Sequence, residues 1–381
     1  MNNKIGIEEH YAVPDVLGDA SVFFNRDNSG SLDISSRLID LLDHRLIAMD
    51  DNGIEISILS LTSPGIQSIF HPGEAADTAK RSNDCLAETV EKRSDRFFGL
   101  AALPMQDPEV AISEMRRAIL ELGMVGVLVN GYSQIGSAEN SVYLDDPMYH
   151  PFWAELEKLD VPFYLHPRSP IPENARLLAD QPWFHGAAWA FGVETATHAL
   201  RLLSSGLFDD FPNLKLLLGH LGEGLPFVIW RTDHFLLKRK LGIPAKRLMI
   251  DYLSENVWLT TSGMFHTPSF IQTILEVSSD RVLFATDYPY EDMSDASEWF
   301  DTCTISNTDK LKMGRQKNIP KGPRVIDLDI ILYGDLVFES WNLVIPHPER
   351  FNLFFIVRHL AELDPALRDP VSGELYSELV G

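Results

Sequence analysis

Eight short apolar runs rich in β-branched residues, separated by longer stretches of helical periodicity, constrain this chain more than any other feature. The runs cover residues 4–8, 54–61, 97–103, 125–130, 161–166, 214–220, 257–261 and 281–287. Between them lie helical patterns at 36–51, 73–92, 108–122, 147–159, 193–205, 224–237 and 268–277. Strands that alternate with crossover helices make a parallel sheet, and eight such units predict an α/β fold of the (β/α)8 barrel type. The 381 residues would suit two domains, but they also suit one barrel with insertions.

In a barrel, polar side chains at strand ends gather at one rim although they are distant in sequence. Glu8 and His10 are two apart on the first strand, so their side chains leave the same face. His166 ends the fifth run and Asp287 the eighth. Two imidazoles and two carboxylates are donors for a mononuclear divalent metal, with positions left for water or substrate. His220 ends the sixth run inside Gly219-His220-Leu221-Gly222-Glu223-Gly224, whose glycines allow close backbone approach. It is a metal-ligand or proton-transfer candidate, and Glu223 can fix its tautomer. Long connections follow the first strand (11–35) and the fifth (167–213); the second carries Trp183, Phe184, Trp189 and Phe191, a density that predicts a pocket wall.

Charge narrows the partners. The 32 Lys+Arg against 55 Asp+Glu leave a formal charge of -23, which repels nucleic-acid phosphates and anionic membranes. Cys85 and Cys303 are too few and too far apart for a disulfide framework or a thiolate site, so a reducing cytoplasm is expected. The first ten residues lack the apolar run of a signal peptide, and no stretch approaches a membrane span.

Four segments together resemble a known family: Lys4-Ile5-Gly6-Ile7-Glu8-Glu9-His10, Tyr164-Leu165-His166-Pro167-Arg168, Gly219-His220-Leu221-Gly222-Glu223-Gly224 and Thr286-Asp287-Tyr288-Pro289. The chain from residue 1 to about 316 is similar to the metal-dependent aromatic-acid decarboxylases of the amidohydrolase superfamily, in particular the 2,6-dihydroxybenzoate (γ-resorcylate) decarboxylases. The resemblance implies a distorted barrel of the metal-dependent hydrolase type and one Mn or Zn ion on Glu8, His10, His166 and Asp287, with His220 and Glu223 near the reacting ring. It also implies a homotetramer, a small aromatic acid as substrate and a place in the breakdown of aromatic compounds. Binuclear members of the superfamily use a fourth-strand lysine, whereas this strand ends in Asn130, which favours a single metal and can hydrogen-bond substrate oxygens. Arg231 matches the family's substrate-binding arginine, and it could equally pair with Asp233 or Asp251.

After Arg315 the rhythm changes. Residues 322–334 and Ile345-Pro346-His347-Pro348 resemble the C-terminal half of the 6-hydroxymethyl-7,8-dihydropterin pyrophosphokinases, in which aspartates matching Asp327 and Asp329 bind magnesium and ATP phosphates. The other half of that family's sheet, with its pterin pocket, has no counterpart here. The chain thus reads as a junction of two families near residues 314–316: a barrel over 1–316 and an α+β tail over 317–381 with vestigial aspartates.

The expected reaction is reversible, non-oxidative decarboxylation of an ortho-hydroxylated benzoate. Asp287 is the expected proton donor and His220 a relay; Tyr290 and Phe191 pack on the ring, and Arg231 and Asn130 hold remaining oxygens. The rivals are metal-assisted hydrolysis on the same fold and a pterin or ATP module in the tail.

Overall fold

The computed structural model describes residues 3–305 except 15, 18–33 and 240; beyond these it describes 310, 313, 337–339, 344–346, 351, 357–358, 360–361 and 364–379. Eight parallel strands follow one another in chain order around a single sheet. They are β1 Lys4–Tyr11, β2 Ile54–Leu61, β3 Phe97–Ala102, β4 Gly126–Asn130, β5 Phe163–His166, β6 Leu216–Leu218, β7 Val257–Thr260 and β8 Val282–Leu283. Backbone bonds from Ile7 N–H to Phe284 O (3.2 Å), from Asp287 N–H to Glu8 O (3.0 Å) and from His10 N–H to Tyr288 O (2.7 Å) join the last segment to the first strand and close the barrel.

Alternation within each run explains why the runs are apolar throughout. Leu100, Leu128, Tyr164 and Leu217 fill the interior with Ile7, Ile58, Trp258 and Leu283, while Val127, Val129, Phe163, Leu165, Leu216 and Leu218 face the helical layer. Both faces are largely buried, which favours apolar side chains on each away from the strand ends. Eight main helices cover the outside: α1 His44–Asp51, α2 Pro72–Lys92, α3 Pro108–Leu120, α4 His150–Leu159, α5 Ala190–Ser204, α6 Leu225–Arg239, α7 Thr267–Val277 and α8 Met293–Thr302. No helix among the described residues is long and apolar enough to cross a membrane.

Three expectations need correction. The helix foreseen at 36–51 is two helices, Ile34–Ile39 and α1. The Asp40 carboxylate takes the N–H groups of Asp43 and His44 at 2.9 and 2.8 Å, a local bond that competes with helical continuation. The eighth strand stops at Leu283 rather than 287, because Phe284 N–H turns to Met313 O and Asp287 adopts φ 70°. The aromatic connection after β5 breaks into short helical turns that leave Trp183 63%, Phe184 43% and Trp189 58% exposed, so these rings do not form a pocket wall.

One buried histidine sets a pH response of the fold. His198 on α5 accepts Leu144 N–H on Nε2 (3.0 Å), and burial, with the nearby Arg201 charge, lowers its pKa to about 3. The unfolded chain takes up that proton near pH 6.5. Between those values unfolding consumes a proton, so stability should fall as pH drops, by at most about 1.4 kcal/mol per unit. His198→Gln can keep an acceptor for Leu144 and cannot titrate. Urea unfolding at several pH values between about 4 and 7 should show a shallower slope in the variant; equal slopes would refute this account.

The chain divides into two compact units, Met1–Val325 and Ile326–Gly381. In the second, Phe338–Glu339 pairs antiparallel with Val344–Ile345, and Asp369 caps a turn by accepting Val371 N–H, Ser372 N–H and the Tyr376 hydroxyl. Asp327 and Asp329 lie outside the described residues.

Candidate metal centre

Four donors meet where the strands open. Glu8 and His10 project from β1, His166 ends β5, and Asp287 follows β8; one ligand atom from each lies within 4.8 Å of all the others. His10 Nε2 is 3.1 Å from Asp287 Oδ1, and His166 Nε2 is 3.2 Å from Glu8 Oε1. His220 joins them from the turn after β6, its Nε2 at 3.8 Å from Glu8 Oε1 and 3.6 Å from Asp287 Oδ2, while its Nδ1 is held by Glu223 at 2.7 Å.

Backbone conformation brings these groups so close. His220, Leu221, Glu223 and Asp287 all have φ between 51° and 70°, a region L-residues enter at a cost of about 1–3 kcal/mol each when the surroundings enforce it. Gly219 must lack a side chain, since a Cβ there would sit 2.9 Å from Glu8 Oε2 and 3.2 Å from Oε1.

The donor set fits a divalent cation. Glu8 is fully buried, and its Oε1 accepts no hydrogen bond although three imidazole nitrogens surround it. A bare carboxylate oxygen in a dry site is costly unless a cation meets it. Burial holds His166 below its ordinary pKa despite Glu8, which keeps the imidazole neutral as a metal ligand must be. Burial also opposes charge on Glu8, but His220, His166 and His10 outweigh it and hold the carboxyl well below its usual range. For Asp287, burial pushes upward and the bonds to His10 and His220 pull the pKa down. His220 shows the converse: burial disfavours its charge, yet Glu223, Glu8 and Asp287 raise its pKa well above the ordinary value.

The remaining expected residues separate. Tyr290 belongs to the site, its ring 5.6 Å from that of His10 and its hydroxyl against Thr62 Oγ1. Phe191 is half-buried at the start of α5, next to Gly192, where a Cβ would lie 3.1 Å from Glu223 Oε2. Asn130, expected to meet substrate, accepts His166 Nδ1–H on its Oδ1 at 2.7 Å and turns its amide to Leu61 O at 3.4 Å, a placement suited to orienting His166. Arg231, also expected at the substrate, is exposed on α6 with its guanidinium 4.8 Å over the Phe235 ring, and its described contacts include none of the site residues. The two aspartates foreseen as its ion-pair partners are engaged elsewhere: Asp233 caps Met249 and Ile250, and Asp251 meets Arg247.

Sequence reasoning passed over the groups behind the ligands. Tyr164, Thr260 and Ser262 all place hydroxyls on Glu8 Oε2. Glu9, on the opposite face of β1, takes Thr286 N–H and its hydroxyl; burial raises its pKa to about 7 against those bonds and Arg45. Tyr164 and His166 are two apart on β5, so the inward face that flagged the histidine also contained the tyrosine.

The comparisons agree with this geometry. Residues 59–312 match the amidohydrolase family, and residues 289–365 match the 7,8-dihydro-6-hydroxymethylpterin-pyrophosphokinase family. The gamma-resorcylate decarboxylase of Rhizobium sp. strain MTP-10005 is 50% identical over 317 residues, 83% of this chain and 96% of that protein. A crystal structure of 2,6-dihydroxybenzoate decarboxylase complexed with 2,6-dihydroxybenzoate superposes with a TM-score of 0.80 at 49% identity, covering 83% of this chain and 97% of that one. The dihydroxybenzoic acid decarboxylase of Polaromonas sp. JS666, solved with manganese and the inhibitor 2-nitroresorcinol, gives 0.80 at 49% identity, over 83% and 95% of the two chains. With its barrel, its four converging donors and half of its aligned residues shared with these enzymes, the chain belongs to the amidohydrolase family, in the branch of the γ-resorcylate decarboxylases.

Proposed function

We propose that this chain is a metal-dependent carboxy-lyase that converts 2,6-dihydroxybenzoate to resorcinol and CO2, reversibly and without oxidation. The carrying observation is the bare Glu8 Oε1 among three imidazoles, beside Asp287 and with His220 Nε2 3.6 Å from Asp287 Oδ2. A divalent ion held by Glu8, His10, His166 and Asp287 would supply positive charge for the carboxylate and ortho oxygen of the substrate. We take it to be manganese, as in the Polaromonas relative, with zinc as the alternative these donors also suit.

The protein's own groups handle the proton. Asp287, first loaded with a proton from His220, delivers it to the ring carbon that bears the carboxylate, and a ring π pair forms the new C–H bond. The C–C bond then breaks, its electron pair restores aromaticity, and CO2 departs. His220, 3.6 Å from Asp287, passes the next proton to it, and Glu223 keeps the imidazole aligned through Nδ1. Tyr290 and Phe191 flank the ring, while Asn130 acts through His166 and Arg231 has no assigned part.

We place the barrel domain at 1–316 and the tail at 317–381, with Asp327 and Asp329 idle because half of the pyrophosphokinase sheet is missing. Two widely spaced free cysteines support a reducing cytoplasm. Self-association, with a homotetramer as the reading, is supported by Phe227 at 75% and Trp230 at 68% exposure together with Trp183 and Trp189; a monomeric mass in solution would remove it.

The direct test incubates manganese-loaded protein with 2,6-dihydroxybenzoate and follows CO2 and resorcinol. Both should accumulate in equal amounts, whereas ATP with 6-hydroxymethyldihydropterin should give no AMP above a blank. No CO2 from loaded, folded protein would reject the function, and AMP formation would make the tail active.

A further inference from the structure

The two oxygens of Glu8 live in different surroundings. Oε2 receives the hydroxyls of Tyr164 and Ser262 at very close range and that of Thr260 at 3.0 Å. The three hydroxyls also touch one another, Tyr164 to Thr260 at 3.1 Å and Thr260 to Ser262 at 2.8 Å. Ser262 Oγ accepts His220 N–H at 3.1 Å, so its single proton is free to point at Glu8. On the other side Oε1 accepts no hydrogen bond, and the Nε2 atoms of His166, His220 and His10 stand 3.2, 3.8 and 3.9 Å away. Gly219 lies against the carboxylate, where a Cβ would come within 2.9 Å of Oε2.

We propose that Tyr164, Thr260 and Ser262 form a hydroxyl clamp that positions Glu8, saturating Oε2 so that Oε1 alone is offered to the divalent ion. The inference rests on reading Glu8, His10, His166 and Asp287 as the metal donors. A carboxylate gripped by three hydroxyls from the ends of two strands, β5 and β7, is held against rotation that would present both oxygens. Such a hold would leave room beside Glu8 for a substrate oxygen at a bound ion. Donated hydroxyls also stabilise the anion in a dry site, so Glu8 stands charged and aimed before the ion arrives. Ser262 adds a link between sites, since one hydroxyl contacts both Glu8 and the backbone of His220. The clamp residues touch neither substrate nor ion and act through Glu8.

The test uses the full chain stripped of metal and titrated with Mn2+ alone, with free ion read by electron paramagnetic resonance. Tyr164→Phe and Ser262→Ala each remove one oxygen and little volume. Each should weaken Mn2+ binding roughly 10- to 100-fold, as outer-shell changes commonly do, with turnover recovering at saturating manganese. Thr260→Val should weaken it as well, and Thr260→Ser, which keeps the hydroxyl, should restore it. A merely structural hydroxyl would lower thermal stability and leave Mn2+ affinity alone. Affinity within about twofold of wild type in whichever of Tyr164→Phe and Ser262→Ala folds would overturn the clamp. Glu8→Gln separates this failure from a deeper one. If Glu8→Gln binds Mn2+ as tightly as wild type, the metal reading itself is wrong; if it loses the ion while the hydroxyl variants keep it, only the clamp falls.

Discussion

Asp287→Asn should cut kcat in manganese-loaded protein by about 10³-fold or more, since it removes a general acid, a contribution commonly of 10²–10⁴, together with a ligand charge. The amide preserves the shape of the side chain, and the backbone bond from Asp287 N–H to Glu8 O that closes the barrel is untouched. Folding should therefore survive. What changes is chemistry: an amide has no acidic proton to deliver and cannot accept one from His220. The loss of a ligand and the loss of the acid separate by titration. Chelation of wild-type protein should abolish turnover and added Mn2+ should restore it, whereas saturating Mn2+ should leave the variant inactive. Substantial turnover by metal-free protein, or a variant within about tenfold of wild type at saturating metal, would sink the mechanism.

The ligands were legible in the sequence because strand periodicity and strand ends carry geometric information. Glu8 and His10 two apart on a strand must share a face, and His166 closes an apolar run. Asp287 was found for a partly wrong reason: the run 281–287 is apolar, but the ladder ends at Leu283, and tertiary bonds from Phe284 and Asp287 set the rest. Tyr164, Thr260 and Ser262 escaped because a tyrosine in an apolar strand and hydroxyls at a strand end read as ordinary core and cap residues. Only the fold brings β5 and β7 onto one carboxylate. Asn130 and Arg231 sit elsewhere than a strand-end or motif reading suggests, for different reasons. A strand-end amide can serve a ligand histidine as readily as a substrate, and a residue on a helix has its direction set by the helix phase, which for Arg231 points to solvent. The exposed tryptophans of the 167–213 connection show the same limit, since aromatic density says that a surface will be covered and not by what.

Removing the ortho oxygen from the substrate should be at least as damaging as removing Asp287. Benzoate lacks any phenol oxygen, and para-hydroxybenzoate carries its oxygen on the far side of the ring, so each can approach the donor cluster through its carboxylate only. A ring held at one point swings, and the carbon to be protonated leaves the line of Asp287, which is fixed between His10 and His220. A site built around a polar group commonly rejects an analogue without it by about 10⁴–10⁵ in kcat/KM, and correct placement of reacting groups supplies much of that factor. Salicylate, with one ortho oxygen, should turn over between these extremes and 2,6-dihydroxybenzoate. The same geometry must serve the reverse direction, because no oxidant or high-energy cofactor drives the step: resorcinol in concentrated bicarbonate should yield 2,6-dihydroxybenzoate and no isomer carboxylated between the wrong pair of carbons. Asp287 would then remove the ring proton that it donates in the forward reaction. Comparable kcat/KM values for para-hydroxybenzoate and 2,6-dihydroxybenzoate would show that the carboxylate alone orients the ring, and the two-point hold inferred from the open side of Glu8 would have to be abandoned.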